Sequence, residues 1–127
     1  MKLALDTNRY TDLCGDNASV LETLEMADEI WLPFIVLAEL RAGFAVGAQG
    51  PRNQAVLHRF LLKPRVGILY ADDQTTHHYA NIFRQLRTQG TPIPTNDMWI
   101  AALALQHSLA LFARDAHFDT LPQLLRA

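Results

Sequence analysis

The sequence predicts an α/β protein: a single domain with a central, mostly parallel sheet of four to five strands and helices on both faces. Short apolar segments of strand length alternate with longer segments in which apolar residues recur at helical spacing. Each helical crossover returns the chain in the same direction, so successive strands run parallel. The chain has 127 residues, of which 50% are hydrophobic and 19% charged. This size suits one core better than two, and we expect one domain over residues 1–127.

The chain begins with a predicted strand and a predicted helix. Lys2–Leu5 is a short apolar run that stops at Asp6-Thr7-Asn8, residues that favour turns and helix caps. A helix is expected to follow. Ser19 and Glu22 have the spacing of a capping box, which predicts a helix that ends near Met26 to Asp28.

A second strand and two helices are predicted next. Ile30–Leu32 is the strand candidate. Pro33 fits the start of a helix through Phe34–Phe44, which is nearly all apolar and is therefore expected to be largely buried. Arg52–Lys63 carries apolar residues at helical spacing, and Pro64 closes that helix.

The third strand and the longest helix follow. Val66–Tyr70 is an apolar run that predicts the strand. Asp72 or Asp73 can cap a helix over Gln74–Thr88, and Gly90 stands where that helix should stop.

The last part of the chain contains one more helix and one more strand. Asn96 is expected to cap a helix over Asp97–Gln106. Leu109–Ala113 is the fourth predicted strand. The segment Arg114–Ala127 begins as a polar turn and ends as a short apolar stretch.

Four acidic residues stand apart from the others because each borders an apolar element: Asp6, Glu39, Asp97 and Asp115. Asp6 and Asp115 each follow a predicted strand, and ligands of open parallel sheets bind beyond the carboxyl ends of the strands. Glu39 and Asp97 can reach that place from helices. Each acid alone is explained equally well as a helix cap, a turn residue or a surface charge.

Taken together, the four acids predict a metal site. Clustered carboxylates raise one another's pKa unless a cation neutralises them, and Mg²⁺ and Mn²⁺ prefer oxygen ligands. Such an ion lowers the pKa of bound water and stabilises a leaving oxygen, which suits phosphodiester hydrolysis. Without these four acids, 11 basic residues face 9 acidic ones. The surface around the filled site, with Arg9, Arg41 and Arg114 nearest in sequence, is therefore expected to be mildly basic.

Several other classes of protein are disfavoured. The longest uninterrupted apolar stretches, such as Trp99–Leu105, are far shorter than the roughly 20 residues that cross a bilayer. Asp6 interrupts the apolar amino-terminal segment too early for a secretion signal, so we expect a cytoplasmic protein without a membrane anchor. Cys14 is the single cysteine, which excludes an internal disulfide framework and a cysteine-rich zinc site.

The five histidines do not predict a zinc cluster. His77 and His78 are adjacent on one predicted helix and cannot share a face, and His58 and His107 lie on other helices. His117 follows Asp115 closely, but we interpret it as an exposed loop residue.

Four segments carry a resemblance to a known family. They are Leu5-Asp6-Thr7-Asn8, Leu37–Gly43, Asn96–Ala104 and Arg114–Asp119. In this order and spacing they resemble the PIN-domain ribonucleases, in particular the VapC-type toxins of type II toxin/antitoxin (VapBC) pairs. The resemblance spans nearly the whole chain and points to the same four acids.

The resemblance implies a Mg²⁺- or Mn²⁺-dependent endoribonuclease whose catalytic and metal-binding residues are Asp6, Glu39, Asp97 and Asp115. It further implies three supporting residues. Asn8 would line the site, Thr7 would orient Asp6, and Asp119 would assist through water or through contacts with the metal-binding residues. Ala113 stands where the family often has Thr or Ser. The final edge strand of many relatives is expected to be shortened or absent here.

The resemblance also implies partners and leaves alternatives open. The partners are an RNA substrate, a second copy of the chain in a homodimer, and a cognate antitoxin whose carboxyl-terminal segment obstructs the acidic site. A nuclease of RNA processing is a nearby alternative. A metal-dependent phosphatase or phosphotransfer domain would use Asp6 as nucleophile and would want a second aspartate where Asn8 stands. A noncatalytic binding module with a PIN-like fold is the third alternative.

Overall fold

The structure is a computed structural model that describes residues 1–127. Its strands are β1 (Lys2–Leu5), β2 (Glu29–Pro33), β3 (Val66–Leu69) and β4 (Ala110–Phe112). Its helices are α1 (Thr7–Cys14), α2 (Ala18–Met26), α3 (Phe34–Val46), α4 (Gly50–Leu61), α5 (Asp73–Gln89) and α6 (Thr95–Gln106), followed by a 3₁₀ helix over Ala116–Thr120. The prediction of an α/β fold is confirmed.

All four strands are parallel and form one sheet in the order β3-β2-β1-β4. The central strand β1 pairs with β2 through Leu3 and Ile30, and with β4 through Leu3 and Ala110. Leu3, Ala4 and Leu5 are all fully buried. Because neighbouring side chains of a strand point to opposite faces, this burial means that helices cover both faces of the sheet, as predicted.

The order of the strands fixes where the chain changes direction across the sheet. From β1 the chain moves outward through β2 to β3, and it then crosses back to place β4 on the other side of β1. Every connection between strands contains two helices. The switch point of this topology is the crevice between β1 and β4.

Two helix starts differ from the sequence prediction. Asn17, and not Ser19, caps α2, and its side chain accepts a hydrogen bond of 3.1 Å from the backbone N–H of Val20. Helix α6, in the connection from β3 to β4, begins at Thr95 after Pro94, so the predicted cap Asn96 lies inside its first turn. In both places an extended backbone before the helix decides the cap, and several nearby polar residues compete for that position.

The caps of α5 agree with the prediction. Asp72 accepts a hydrogen bond from the backbone N–H of Thr75, while the Thr75 hydroxyl accepts one from the backbone N–H of Asp72. Gly90 ends the helix with a φ of 70°, in the left-handed region that glycine adopts without strain.

Helix α3 is less buried than its composition predicts. Val36, Leu37 and Leu40 are buried on one face, whereas Ala38 and Ala42 are exposed. Only one face of the helix meets the rest of the protein, so the apolar residues on its other side remain uncovered. The expectation of a largely buried helix is therefore wrong.

The segment after the 3₁₀ helix reaches the outer edge of β4. The backbone N–H of Leu111 donates to the carbonyl oxygen of Leu125, and the N–H of Ala127 donates to that of Leu111. Only one bridge, between Leu111 and Arg126, results. A final edge strand is thus shortened to a single bridge in this chain, as expected.

The hydrophobic core is one cluster of 32 buried residues. It includes residues of all four strands together with Phe118 of the 3₁₀ helix, which is 1% exposed. None of the helices combines the length and the apolar composition needed to cross a membrane.

Candidate metal and catalytic site

Two of the four predicted acids are placed by the pairing of β1 with β4. Leu5 lies opposite Phe112 in the register of these strands, and the backbone N–H of Asp6 donates to the carbonyl oxygen of Phe112 at 3.1 Å. Asp6 therefore leaves β1 at the edge where the chain leaves β4 and continues to Asp115. This edge is the switch point of the sheet, where α/β proteins bind ligands.

Asp6 is the most buried of the four acids. It is 5% exposed and stands at the cap position of α1. The pKa of Asp6 is raised to about 6, chiefly by burial and further by the negative charges of Asp97, Glu39 and Asp115, against the lowering effect of the Thr7 backbone N–H. All three other acids are therefore close enough for their charges to act on Asp6.

Glu39 is positioned by a residue that follows Asp6 in the chain. The Thr7 hydroxyl of α1 donates a 2.8 Å hydrogen bond to Oε1 of Glu39 on α3. Thr7 is predicted to orient Asp6, and its backbone N–H bonds to the Asp6 carboxylate. The hydroxyl instead links α1 to α3 across the site.

Asp97 and Asp115 meet at a histidine. Nδ1 of His117 lies 2.8 Å from Oδ2 of Asp97 and 3.1 Å from Oδ1 of Asp115. Burial raises the pKa of Asp97, the His117 hydrogen bond lowers it, and the charge of Asp115 raises it. His117 is exposed, as expected, and it lies in the 3₁₀ helix after β4, where its ring contacts two acids of the site.

The position of His117 follows from the turn after β4. The Asp115 side chain caps the 3₁₀ helix by accepting a 2.9 Å hydrogen bond from the backbone N–H of His117. Phe118, the next residue, is fully buried and anchors the turn. A capping aspartate two residues before a histidine is a sequence signal that could have indicated this contact.

The two remaining supporting residues do not contact the acids. Asn8 is partly buried in the first turn of α1, and its side chain makes no hydrogen bond with them. The Asp119 side chain is 70% exposed and forms an ion pair of 2.8 Å with Nη1 of Arg126. The structure thus brings together the four acids, Thr7 and His117.

Two of the three arginines expected around the site pair with an acid outside the four. Arg9 and Arg114 both pair with Asp12, at 3.6 and 3.0 Å. The Arg9 guanidinium also lies over the Phe112 ring, 4.8 Å from its centre. No lysine or arginine forms an ion pair with any of the four acids.

The donor set fits a divalent cation. Four carboxylates from different elements act on one another electrostatically, one of them is almost fully buried, and no basic side chain other than His117 contacts them. A hard cation such as Mg²⁺ or Mn²⁺ prefers oxygen ligands of this kind and would relieve the repulsion.

Comparisons with known proteins agree on the fold. Residues 4–124 match the family model of the PIN domain. The chain is 38% identical over 115 residues to "Ribonuclease VapC1" of Haemophilus influenzae (strain R2866), which covers 87% of this chain and 84% of that protein.

Two solved structures are similar over the full chain. The VapBC2 structure of Rickettsia felis, bound to a DNA fragment from its promoter, has a TM-score of 0.89 at 27% identity and covers 100% of this chain and 98% of that chain. The VapBC-1 structure of nontypeable Haemophilus influenzae has a TM-score of 0.88 at 26% identity and covers 100% of this chain and 97% of that chain.

Proposed function

We propose, from the premise that this chain belongs to the PIN-domain family, that it is the ribonuclease of a toxin/antitoxin pair. It hydrolyses phosphodiester bonds within RNA, and it depends on Mg²⁺ or Mn²⁺. Relatives named as VapC ribonucleases that align over most of both chains support the activity.

The observation that carries the proposal is the meeting of four carboxylates at the crevice between β1 and β4. Asp6, Glu39, Asp97 and Asp115 come from separate elements, yet the pKa of the buried Asp6 responds to the other three. Such repulsion is costly in a protein without a bound cation, and clusters of this kind mark functional sites.

The four acids would hold the ion and position it against the substrate. A bound Mg²⁺ or Mn²⁺ supplies an activated water and stabilises the charge of the leaving oxygen. Asp6 fixes the ligand set to the end of β1, and Thr7 holds the carboxylate of Glu39 in one orientation. Asp97 and Asp115 complete the set from α6 and from the turn after β4.

An antitoxin partner and a homodimer belong to the same proposal. Similar structures are VapBC complexes, and another is the FitAcB complex of Neisseria gonorrhoeae, with a TM-score of 0.77 at 29% identity. An acidic site without its own lysine or arginine attracts a basic side chain, which gives an antitoxin a direct means of blocking it.

RNA cleavage by the purified, antitoxin-free protein tests the function. Total cellular RNA is incubated with Mg²⁺, Mn²⁺ or EDTA and with wild type, the double variant Asp6→Asn, Asp97→Asn, or the control Asp73→Asn. Asp73 is an exposed acid of α5 outside the cluster. Defined fragments are expected only with metal, and only from wild type and the control.

Other outcomes separate the alternatives. If wild type and the double variant behave alike over a full metal titration, with circular dichroism showing both folded, the chain is a noncatalytic binding module. Phosphate release from a phosphomonoester with a covalent aspartyl phosphate at Asp6 would instead establish a phosphatase.

A further inference from the structure

His117 brings a nitrogen atom into a site that is otherwise built from carboxylates. Its Nδ1 lies 2.8 Å from Oδ2 of Asp97 and 3.1 Å from Oδ1 of Asp115. The three potential ligand atoms all lie within 4.8 Å of one another. The ring is held in place because its own backbone N–H donates to Asp115 and because the neighbouring Phe118 is buried.

These spacings match those of neighbouring ligands on one ion. Six-coordinate Mg²⁺ has ligands at about 2.1 Å, and two ligands at a right angle are then about 3 Å apart. The two distances from Nδ1 lie on either side of that value. The three side chains can therefore bind one cation with little movement.

In the absence of a metal, one hydrogen bond joins Nδ1 to Oδ2 of Asp97, and the backbone N–H of His117 holds Asp115 beside the ring. A ring nitrogen carries at most one hydrogen, so Nδ1 can donate a well-aligned hydrogen bond to only one of the two carboxylates at a time. A metal ion accepts electron pairs from all three atoms together.

We propose that His117 is a direct metal ligand, together with Asp97 and Asp115, and that its nitrogen shifts the site's preference from Mg²⁺ towards Mn²⁺. Imidazole suits transition metals better than Mg²⁺, which binds oxygen almost exclusively. The inference rests on the proposed function, since it concerns a ligand of the same site.

Pulsed electron paramagnetic resonance of the Mn²⁺-loaded protein tests the ligand directly. The sample is the untagged full chain without antitoxin, as wild type, His117→Gln and the control His58→Gln. His58 is an exposed residue of α4 outside the site. We expect coupling of Mn²⁺ to a ¹⁴N nucleus in wild type and in the control, and its loss in His117→Gln.

Calorimetric titrations give a second measurement. Loss of the nitrogen ligand should weaken Mn²⁺ binding by about tenfold or more, as loss of groups around metal sites typically does, and should weaken Mg²⁺ binding less. Labelling wild type with ¹⁵N-histidine shows, without any substitution, whether the coupled nitrogen belongs to a histidine. It should replace the ¹⁴N coupling with that of ¹⁵N, whether or not His117→Gln folds.

Two results overturn the inference. Bound Mn²⁺ without nitrogen coupling in wild type would show that His117 is not a ligand, and coupling that persists in folded His117→Gln would assign it to another group. In either case, metal-dependent RNA cleavage that is lost in the Asp6→Asn, Asp97→Asn variant would leave the proposed function standing. Failure of wild type both to bind Mn²⁺ and to cut RNA would overturn both proposals.

Discussion

The hydroxyl of Thr7 and the carboxylate of Glu39 form a 2.8 Å hydrogen bond between residues 32 positions apart in the sequence. It joins the first turn of α1 to the middle of α3. Since Thr7 directly follows Asp6, the bond ties the Glu39 carboxylate to the end of β1, where Asp6 lies. Thr7, the neighbour of Asp6 in the chain, thus sets the orientation of the Glu39 carboxylate.

Thr7→Val tests this bond, because valine has the shape of threonine without the hydroxyl. We expect metal affinity to fall by about tenfold, since groups that orient metal ligands typically have effects of this size. Thr7→Ser should retain most of the affinity. Calorimetric titration with Mn²⁺ measures both variants, and a Thr7→Val protein that binds as well as Thr7→Ser would contradict the assignment.

Asp6→Asn should change how stability depends on pH. The fold raises the pKa of Asp6 from 3.8 to about 6, so the folded state holds this proton more tightly than the unfolded state. In metal-free protein, the stability that Asp6 contributes is therefore present at low pH and is lost as pH rises through about 6. The shift corresponds to about 3 kcal/mol at neutral pH.

Urea unfolding in EDTA between pH 4 and pH 7 measures this effect in wild type and in Asp6→Asn. As pH rises, the free energy of unfolding of Asp6→Asn should increase relative to that of wild type, by up to about 3 kcal/mol. Two curves that stay parallel over the whole range would show that the pKa of Asp6 is not raised.

Replacing Gly67 by alanine should destabilise the protein, whereas replacing Gly43 by alanine should stabilise it. A Cβ atom at Gly67 would lie 2.6 Å from Cζ3 of Trp31, its partner across β2 and β3, whereas one at Gly43 would meet nothing within 4 Å. Gly67→Ala should cost about 1–3 kcal/mol through overpacking. Gly43→Ala should raise the free energy of unfolding by about 0.5–1 kcal/mol, because alanine favours a helix interior. Urea unfolding at one pH compares them, and a stabilised Gly67→Ala would contradict the close contact with Trp31.

Asp119→Asn should affect RNA cleavage far less than Asp115→Asn. The Asp119 carboxylate pairs with Arg126, whereas that of Asp115 lies beside His117. Initial rates with Mn²⁺ should fall by about tenfold or more for Asp115→Asn and stay close to wild type for Asp119→Asn. Equal losses would mean that Asp119 acts on the site through water.

The strands and the four acids were predictable because both depend on local pattern. An apolar run that ends in Asp6 places a carboxylate at the end of a strand wherever the strand lies, and parallel pairing then brings strand ends together. The family resemblance pointed to the same positions.

Other features depend on contacts that a single sequence does not display. The hydroxyl of Thr7 finds Glu39 only after α1 and α3 pack together, and His117 reaches Asp97 only through the conformation of the turn after β4. The exposed face of α3 follows from which side of the helix meets the core, while composition alone predicted burial. The cap of α2 at Asn17 depended on backbone angles at several competing polar residues.

The position of β4 in the sheet has a consequence for synthesis of the protein. β4 is the last strand in the chain, yet it lies beside the first, and it carries the turn that holds Asp115. A nascent chain that has passed Asp97 but has not reached Asp115 contains Asp6, Glu39 and Asp97 and lacks the fourth acid. The site of a ribonuclease with this topology can therefore assemble only after the ribosome has synthesised the fourth strand. A product shortened upstream of β4 lacks the assembled site.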